Sequence, residues 1–339
     1  MSRIVLISTS LLVLVLLILA GLLLPNIPQP FMNDQDIYYS WLEGSRLLQG
    51  QNPYARVLQG DMLTNDKYAT YFPVFYELSF VSEKLGVSSF ESWLAFWRVV
   101  FFAFDLATAV LIYVALARRN LPWLGVFTVA FWLFNRWTLE MLRVVELDFV
   151  PLFFLLLSLE LFPRNKWLSL FLFSISLGVK QIAIFAVPLY LVWVWRASQE
   201  HRIRDLVLAS VVIGSVPFLS AIPFLVWDAR GFIYSVLFSA TRAASQLRGL
   251  PRDLSAFLGG QTIYDRLLMG VLMLGVCILA WRIPAARYVA VFLVLLAFMC
   301  FNPVLYLQYI FWVVGAGLMV LCDLCDVRPS SAAQHPAPA

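Results

Sequence analysis

The sequence predicts an all-α polytopic membrane protein, one bundle of about ten transmembrane helices, on three observations. Of its 339 residues 62% are hydrophobic and only 13% charged, where a soluble domain carries about 25% charge, and mean hydropathy is +0.83. Apolar runs long enough to approach the ~20 residues that cross a hydrocarbon core recur along the chain. The 28 Phe, 13 Tyr and 12 Trp suit both lipid-facing packing and rings anchored at headgroup level.

The runs are 4–24, 94–117, 121–137, 148–163, 167–178, 179–195, 206–226, 263–281, 288–301 and 304–321. The first follows Arg3 and ends in Leu24-Pro25-Asn26 without a small-x-small cleavage site, so an uncleaved signal anchor with a cytoplasmic N-terminus is expected. The stretch 167–195 is too long for one untilted crossing and contains Gly178 followed by Lys180-Gln181. Two short helices meeting in a polar turn are therefore expected there. Arg118-Arg119, Arg164 with Lys166, Arg196 with Arg202 and Arg204, and Arg282 with Arg287 fall on one side under this topology, which the distribution of basic loop residues makes the inside.

Two long segments then face outward, 25–93 and 227–262, and loops of that length are usually functional or disordered. The expected organisation is one transmembrane domain over 1–326 and a disordered cytoplasmic tail over 327–339, rich in Pro, Ser and Ala. A net charge of +4 with no run of basic residues sets nucleic acid aside. The four cysteines form no disulfide framework. Cys322-x-x-Cys325 stands alone, and the two histidines, His201 and His335, offer it no partner at ligand spacing, so no cofactor is expected and no divalent metal is evident.

Asp34 and Asp36 follow the first helix in Phe31-Met32-Asn33-Asp34-Gln35-Asp36-Ile37-Tyr38-Tyr39, which places carboxylates near the outer surface. In an inverting sugar transfer such a group takes the proton of the acceptor hydroxyl. The apolar spacing after Trp41 predicts a short surface helix, and Gly50-Gln51-Asn52-Pro53 a turn. Lys180 lies between apolar residues, and an ionisable group inside an apolar run is costly enough to suggest function. Arg98 and Asp105, seven apart on one helix, are expected to pair with each other or with a neighbouring helix. Arg143 and Glu140 face the same compartment as Asp34, and Arg136 marks a membrane boundary.

The pattern Asp-x-x-x-Tyr-Tyr, then Leu-Leu-x-Gly-x-Asn-Pro-Tyr over 47–54, then Tyr71-Phe72-Pro73, resembles the multi-pass GT-C glycosyltransferases, particularly the mannosyltransferase-like group that uses polyprenyl- or dolichyl-phosphate sugars. Further pieces are similar to that group: Gly178-Val179-Lys180-Gln181 with Pro188, Trp227-Asp228 with Phe232 and Arg242, and Asn302-Pro303-Val304-Leu305-Tyr306-Leu307-Gln308-Tyr309. Together they cover about residues 30–315. At Val145-Glu146-Leu147-Asp148 the chain departs from the Gly-Gln-x-Asp or Gly-Gln-x-Asn of many relatives, though Asp148 keeps an acid.

The resemblance implies a GT-C fold and transfer of mannose or a related sugar from a polyprenyl-phosphate donor to a glycan or lipid acceptor. The reaction would occur with inversion on the extracytoplasmic face of a bacterial plasma membrane. It implies Asp34 and Asp36 as catalytic residues, and Lys180, Arg242 and Arg248 at the donor phosphate, whose growing charge a fixed cation stabilises. Asp148, Glu146, Arg143, Tyr38 and Tyr309 would serve the acceptor or support these groups. A lipid-linked-sugar flippase or transporter is the alternative, because broken helices with a charged turn also build transport sites. Against it stand the lack of an internal repeat and the gathering of reactive residues on one face. A polysaccharide ligase would require a larger late loop than 227–262.

Overall fold

The computed structural model describes residues 2–33, 35–60, 67–241, 263–283, 286–302 and 305–326. Helices account for its regular structure, and no strand occurs among the described residues. In chain order they are α1 (Arg3–Leu23), α2 (Asp36–Leu48), α3 (Val74–Lys84), α4 (Phe90–Arg118), α5 (Pro122–Phe134), α6 (Arg136–Arg143), α7 (Phe149–Leu161), α8 (Lys166–Val179), α9 (Val187–Ala197), α10 (Arg202–Thr241), α11 (Ile263–Arg282), α12 (Arg287–Phe301) and α13 (Leu307–Asp326). Helical structure lies on each of the ten apolar runs, the third divided between α5 and α6 and the sixth opening with a 3-10 turn, Gln181–Ala186, that leads into α9.

Four segments are long and apolar enough to cross a bilayer: Arg3–Asn26, Phe90–Arg118, Arg202–Phe238 and Leu307–Leu324. Five more are apolar but shorter, Pro122–Phe134, Phe149–Leu161, Lys166–Val179, Gln181–Ala197 and Arg287–Phe301. The outward faces are apolar as well. Ile4, Val99, Phe127 and Val226 are all more than two-thirds exposed, an arrangement suited to lipid rather than water.

Polar side chains set the helix ends. The Asn135 carboxamide donates to the carbonyls of Phe131 and Trp132 at the end of α5, while its oxygen accepts the N–H groups of Trp137 and Thr138 at the start of α6. One side chain thereby satisfies backbone groups on both sides of a break. The single helix expected over 121–137 is thus interrupted before its last two residues. Asp228 acts similarly within α10, where its backbone leaves the helical region (φ −157°, ψ 87°) and its Oδ1 accepts the Gly231 N–H at 2.9 Å. The helix restarts there and continues to Thr241, so the first part of the expected 227–262 loop is helical. Residues 242–262 lie outside the described set.

The segment 25–93, expected to face outward, contains two short helices, α2 and α3, with a 3-10 turn, Ala55–Gln59, between them. Both end in the same way: the N–H of Gln51 returns to the Arg46 carbonyl and that of Val87 to the Ser82 carbonyl, with Gly50 at φ 74° and Gly86 at φ 102°. Glycine adopts this left-handed conformation without a Cβ clash. Tyr54, at the turn after α2, packs edge-to-face on Phe224 and Phe232 of α10, and the Ser235 hydroxyl donates to the Ala69 carbonyl at 2.5 Å. The segment is therefore fastened to the bundle.

Charged residues collect at two ends. At one, Glu160 of α7 receives Arg119 at 3.2 Å, Arg164 at 3.2 Å and Arg118 at 3.7 Å, together with the Tyr288 hydroxyl at 2.6 Å. Lys166 meets Asp205 at 2.7 Å at the same end. At the other end lie α2, α3 and the breaks before α6, α7 and the 3-10 turn at 181–186.

The expected partnership of Arg98 and Asp105 does not form. Arg98 donates to the Ile27 carbonyl at 2.8 Å, and Asp105 is fully buried with neither carboxyl oxygen hydrogen-bonded. Seven residues on a helix are two turns, about 10 Å, and the guanidinium reaches toward the end of α1 instead.

Helices α2 and α3 touch at Gly44, where an added Cβ would fall 2.7 Å from the Ser79 Cβ. Gly44→Leu is expected to destabilise the protein by about 1–3 kcal/mol through overpacking, read as a lowered thermal midpoint in detergent micelles. An unchanged midpoint would mean the two helices do not pack through this residue.

Candidate active site

The break that the sequence places at Lys180 exists. Helix α8 stops at Val179, Lys180 is extended (φ −148°, ψ 124°) and the 3-10 turn follows. Gly178 allows this geometry beside α10 and α3, since a Cβ there would lie 2.7 Å from Val216 Cγ1 and 3.1 Å from Val74 Cγ2. The extended backbone turns the lysine inward, where its side chain is only 3% exposed.

Its ammonium is held from three directions. Nζ donates to Asp148 Oδ2 at 2.5 Å and to Gln308 Oε1 at 3.1 Å, and it sits 5.0 Å from the centre of the Tyr71 ring. The other oxygen of Asp148 accepts the indole N–H of Trp312. A buried ion pair keeps its charge only when the remaining lone pairs and protons are satisfied, and α7, α8 and α13 each supply part of that satisfaction.

Tyr71 carries the network into the first outer segment. Its hydroxyl donates to Asp36 Oδ2 at 2.9 Å, and the other oxygen of Asp36 takes Lys67. Lys67 is placed by Arg56, which donates to the Lys67 carbonyl at 2.7 Å and also to Glu43. Glu43 receives Arg46 too, at 2.8 Å; burial pushes its carboxyl up to about 7 although Arg56 and Arg46 pull it down. Gln181 donates to the Thr70 carbonyl, a further tie between the break and the segment before Tyr71.

Glu146 completes the cluster from the connection between α6 and α7. Burial raises its carboxyl to about 7, opposed by Lys180 and Lys67 and reinforced by Asp148. Its Oε2 has no hydrogen-bond partner among the described residues, and neither has Gln181 Oε1. These are two buried acceptors awaiting donors, and a buried polar atom without a partner calls for a reason.

The backbone that presents Glu146 is itself unusual. Helix α6 ends with the Glu146 N–H on the Met141 carbonyl at 3.0 Å and the Val145 N–H on the Leu142 carbonyl at 3.3 Å, which puts Val145 at φ 54°. A β-branched residue pays a steric cost in that region. Glycine is the usual occupant of such a helix terminus. The departure at Val145 thus keeps the turn at the cost of strain beside a buried carboxylate, a combination typical of functional sites.

Of the residues singled out from the sequence, the structure brings Asp36, Glu146, Asp148 and Lys180 into one network, with Tyr309 electrostatically linked to Tyr71. Tyr38 packs instead with Tyr39, Trp41 and Phe90 on another face of α2. Arg143 is engaged by Glu140, at 2.8 Å from Nε to Oε2, and this pairing holds the Glu140 carboxyl below its ordinary range. Asp34, Arg242 and Arg248 lie outside the described residues. Lys67, Tyr71, Gln308 and Trp312 join the site without having been assigned to it. Tyr71 and Gln308 stood in motif segments, but Lys67 carries no sequence signal that separates it from an ordinary loop lysine.

No protein-family model matches the chain, and no curated protein matches it. The functional reading rests on the site.

Removing one member of the buried pair should leave the other charge stranded. Lys180→Met is expected to cost about 3–5 kcal/mol, and adding Asp148→Asn to it should recover much of the loss. Thermal unfolding of both variants in micelles checks this, and a double variant no more stable than Lys180→Met would show that the two charges do not act as a pair.

Proposed function

We propose that the protein is a GT-C-type glycosyltransferase of about ten membrane spans that transfers mannose or a related sugar from a polyprenyl-phosphate donor, with inversion, to an acceptor on the extracytoplasmic side of a bacterial plasma membrane. The observation that carries the reading is the convergence of three carboxylates, Asp36, Glu146 and Asp148, with Lys67 and Lys180 at the end of the bundle where the first outer segment folds over it. The sequence resemblance supports the same chemistry and adds Asp34, two residues before Asp36.

In this reaction the acceptor hydroxyl attacks the anomeric carbon as the bond from that carbon to the phosphate oxygen breaks. The proton passes to a carboxylate and the lipid phosphate leaves with the bonding electrons. Asp34 is assigned the proton, and Asp36, fixed by Tyr71 and Lys67, holds the segment that presents it. The vacant oxygens of Glu146 and Gln181 suit sugar hydroxyls, which bring the donors these acceptors lack. Negative charge on the departing phosphate is met by Arg242 and Arg248, with Lys67 added. Lys180, already shared between Asp148 and Gln308, contributes its one remaining N–H.

No metal is assigned a role, and the cations named above supply positive charge. A flippase would also use a buried ion pair at a helix break, so the first assay reads transfer and translocation together.

Membranes containing the protein and radiolabelled polyprenyl-phosphate mannose, tested beside other lipid-linked sugars, are expected to yield labelled product with wild type and none with Asp34→Asn. Translocated donor with no product from any sugar would overturn the reading in favour of a flippase. The pH dependence gives a second check. Glu146 accepts most strongly from a hydroxyl when ionised, and its pKa is raised to about 7, so activity should climb between pH 5 and 8 and flatten above. Glu146→Gln should lower activity and abolish that limb, and a limb that survives the substitution assigns the titration elsewhere.

A further inference from the structure

A cavity of about 530 Å³ opens between the end of α1, the chain that follows it and the first three turns of α4. Its wall is apolar, including Leu94, Phe102 and Leu142, while Gln29, Asn33 and Arg98 supply the polar groups and Glu91 stands at the exposed first turn of α4. None of these residues belongs to the ion-paired network around Lys180. Yet the cavity reaches Asn33, the residue before Asp34, and Leu142, four residues before Glu146.

We propose that this cavity binds a phospholipid with a hydroxyl-bearing headgroup, and that this lipid is the acceptor of the transfer reaction; the acceptor assignment rests on the glycosyltransferase reading. Three features argue for it. A long apolar wall beside exposed Val99 matches an acyl chain. Arg98 spends one N–H on the Ile27 carbonyl and keeps a planar set of donors suited to a phosphate. It lies eight residues into α4, about 12 Å along the axis, with Glu91 two turns farther out on the same face. A carboxylate there, with the Gln29 and Asn33 amides, suits hydroxyl groups beyond the phosphate.

The direction of approach separates the two lipids. Lys180, Gln308 and Trp312 come from α8 and α13, whereas the cavity approaches from α1 and α4. An inverting displacement needs the attacking hydroxyl on the face of the sugar opposite the leaving phosphate, and two substrates entering from these two flanks would meet in that arrangement near residues 33–36.

Photolabelling tests the binding without relying on transfer. Purified protein in phosphatidylcholine vesicles carrying diazirine-tailed phosphatidylglycerol should be labelled within residues 24–33 and 90–102. Arg98→Gln should reduce labelling about tenfold, equivalent to ~1.4 kcal/mol. Ala95→Trp, which fills the cavity and leaves Arg98 in place, should reduce it as well and guards against misfolding of the first variant. Equal labelling by diazirine-tailed phosphatidylcholine would reduce the cavity to ordinary lipid contact, and preferential labelling by diazirine-tailed polyprenyl phosphate would make it the donor's. Both results overturn the proposal. In the transfer assay, label should enter a phospholipase-sensitive lipid, less so in Ala95→Trp; a water-soluble or protein-bound product overturns the acceptor role. If no sugar moves at all, the glycosyltransferase reading fails while the labelling result stands by itself.

Discussion

The ion pair between Lys180 and Asp148 organises this structure because it is affordable only when several elements arrive together. Stripping an ammonium and a carboxylate of water costs several kcal/mol each. Recovery requires the 2.5 Å contact itself, the side-chain amide oxygen of Gln308 and the Trp312 indole. Those groups come from the start of α7, the end of α8 and the first two turns of α13. The break after Gly178 follows from the same need, since a continuous helix through 167–195 would carry Lys180 on its regular helical path rather than on an extended residue turned inward.

A second constraint acts on the first outer segment. It contains no apolar run long enough to bury itself, and its stability comes from small contacts and polar ties. Gly44 lets α2 meet α3, Glu43 gathers Arg46 and Arg56, and Tyr54 wedges against α10. Tyr71 joins this segment to the bundle by serving a cation and an acid at once, through its ring for Lys180 and its hydroxyl for Asp36. Positioning Asp36 is therefore a collective result of contacts from separate parts of the chain, its direct partner Tyr71 alone lying 35 residues away.

Much of the fold was legible in the sequence because hydrophobic run length is a one-dimensional property. Helical structure lies on all ten runs, four of the helical segments being long and apolar enough to cross a bilayer, and the split at Gly178-Val179-Lys180 shows as a glycine close to a charge. The breaks at Asn135 and Asp228 escaped because they depend on side-chain caps within stretches that stay apolar on average. The site was legible in part. Lys180 and Asp148 stood out as charges bordering apolar runs, but their pairing and the inclusion of Lys67 and Trp312 are long-range facts. The reach of Arg98 toward Ile27 rather than Asp105 depends on where α1 ends in space, which helix periodicity on α4 alone does not reveal.

Several of the central helices are short. Helices α5 and α7 have 13 residues each and α8 has 14, so at 1.5 Å per residue they are about 20 Å long, against a hydrocarbon core of ~30 Å. On the proposed topology the polar network begins where these helices stop, and its depth is then set by helix length rather than by the membrane surface. The ion pair would lie several ångströms beneath the headgroup plane. A lipid-borne phosphate reaching it would have to sink toward the bilayer interior, or the surrounding lipids would have to thin to meet it. Under the proposed function, bilayer thickness then becomes a parameter of transfer, with different rates expected in membranes of short and long acyl chains.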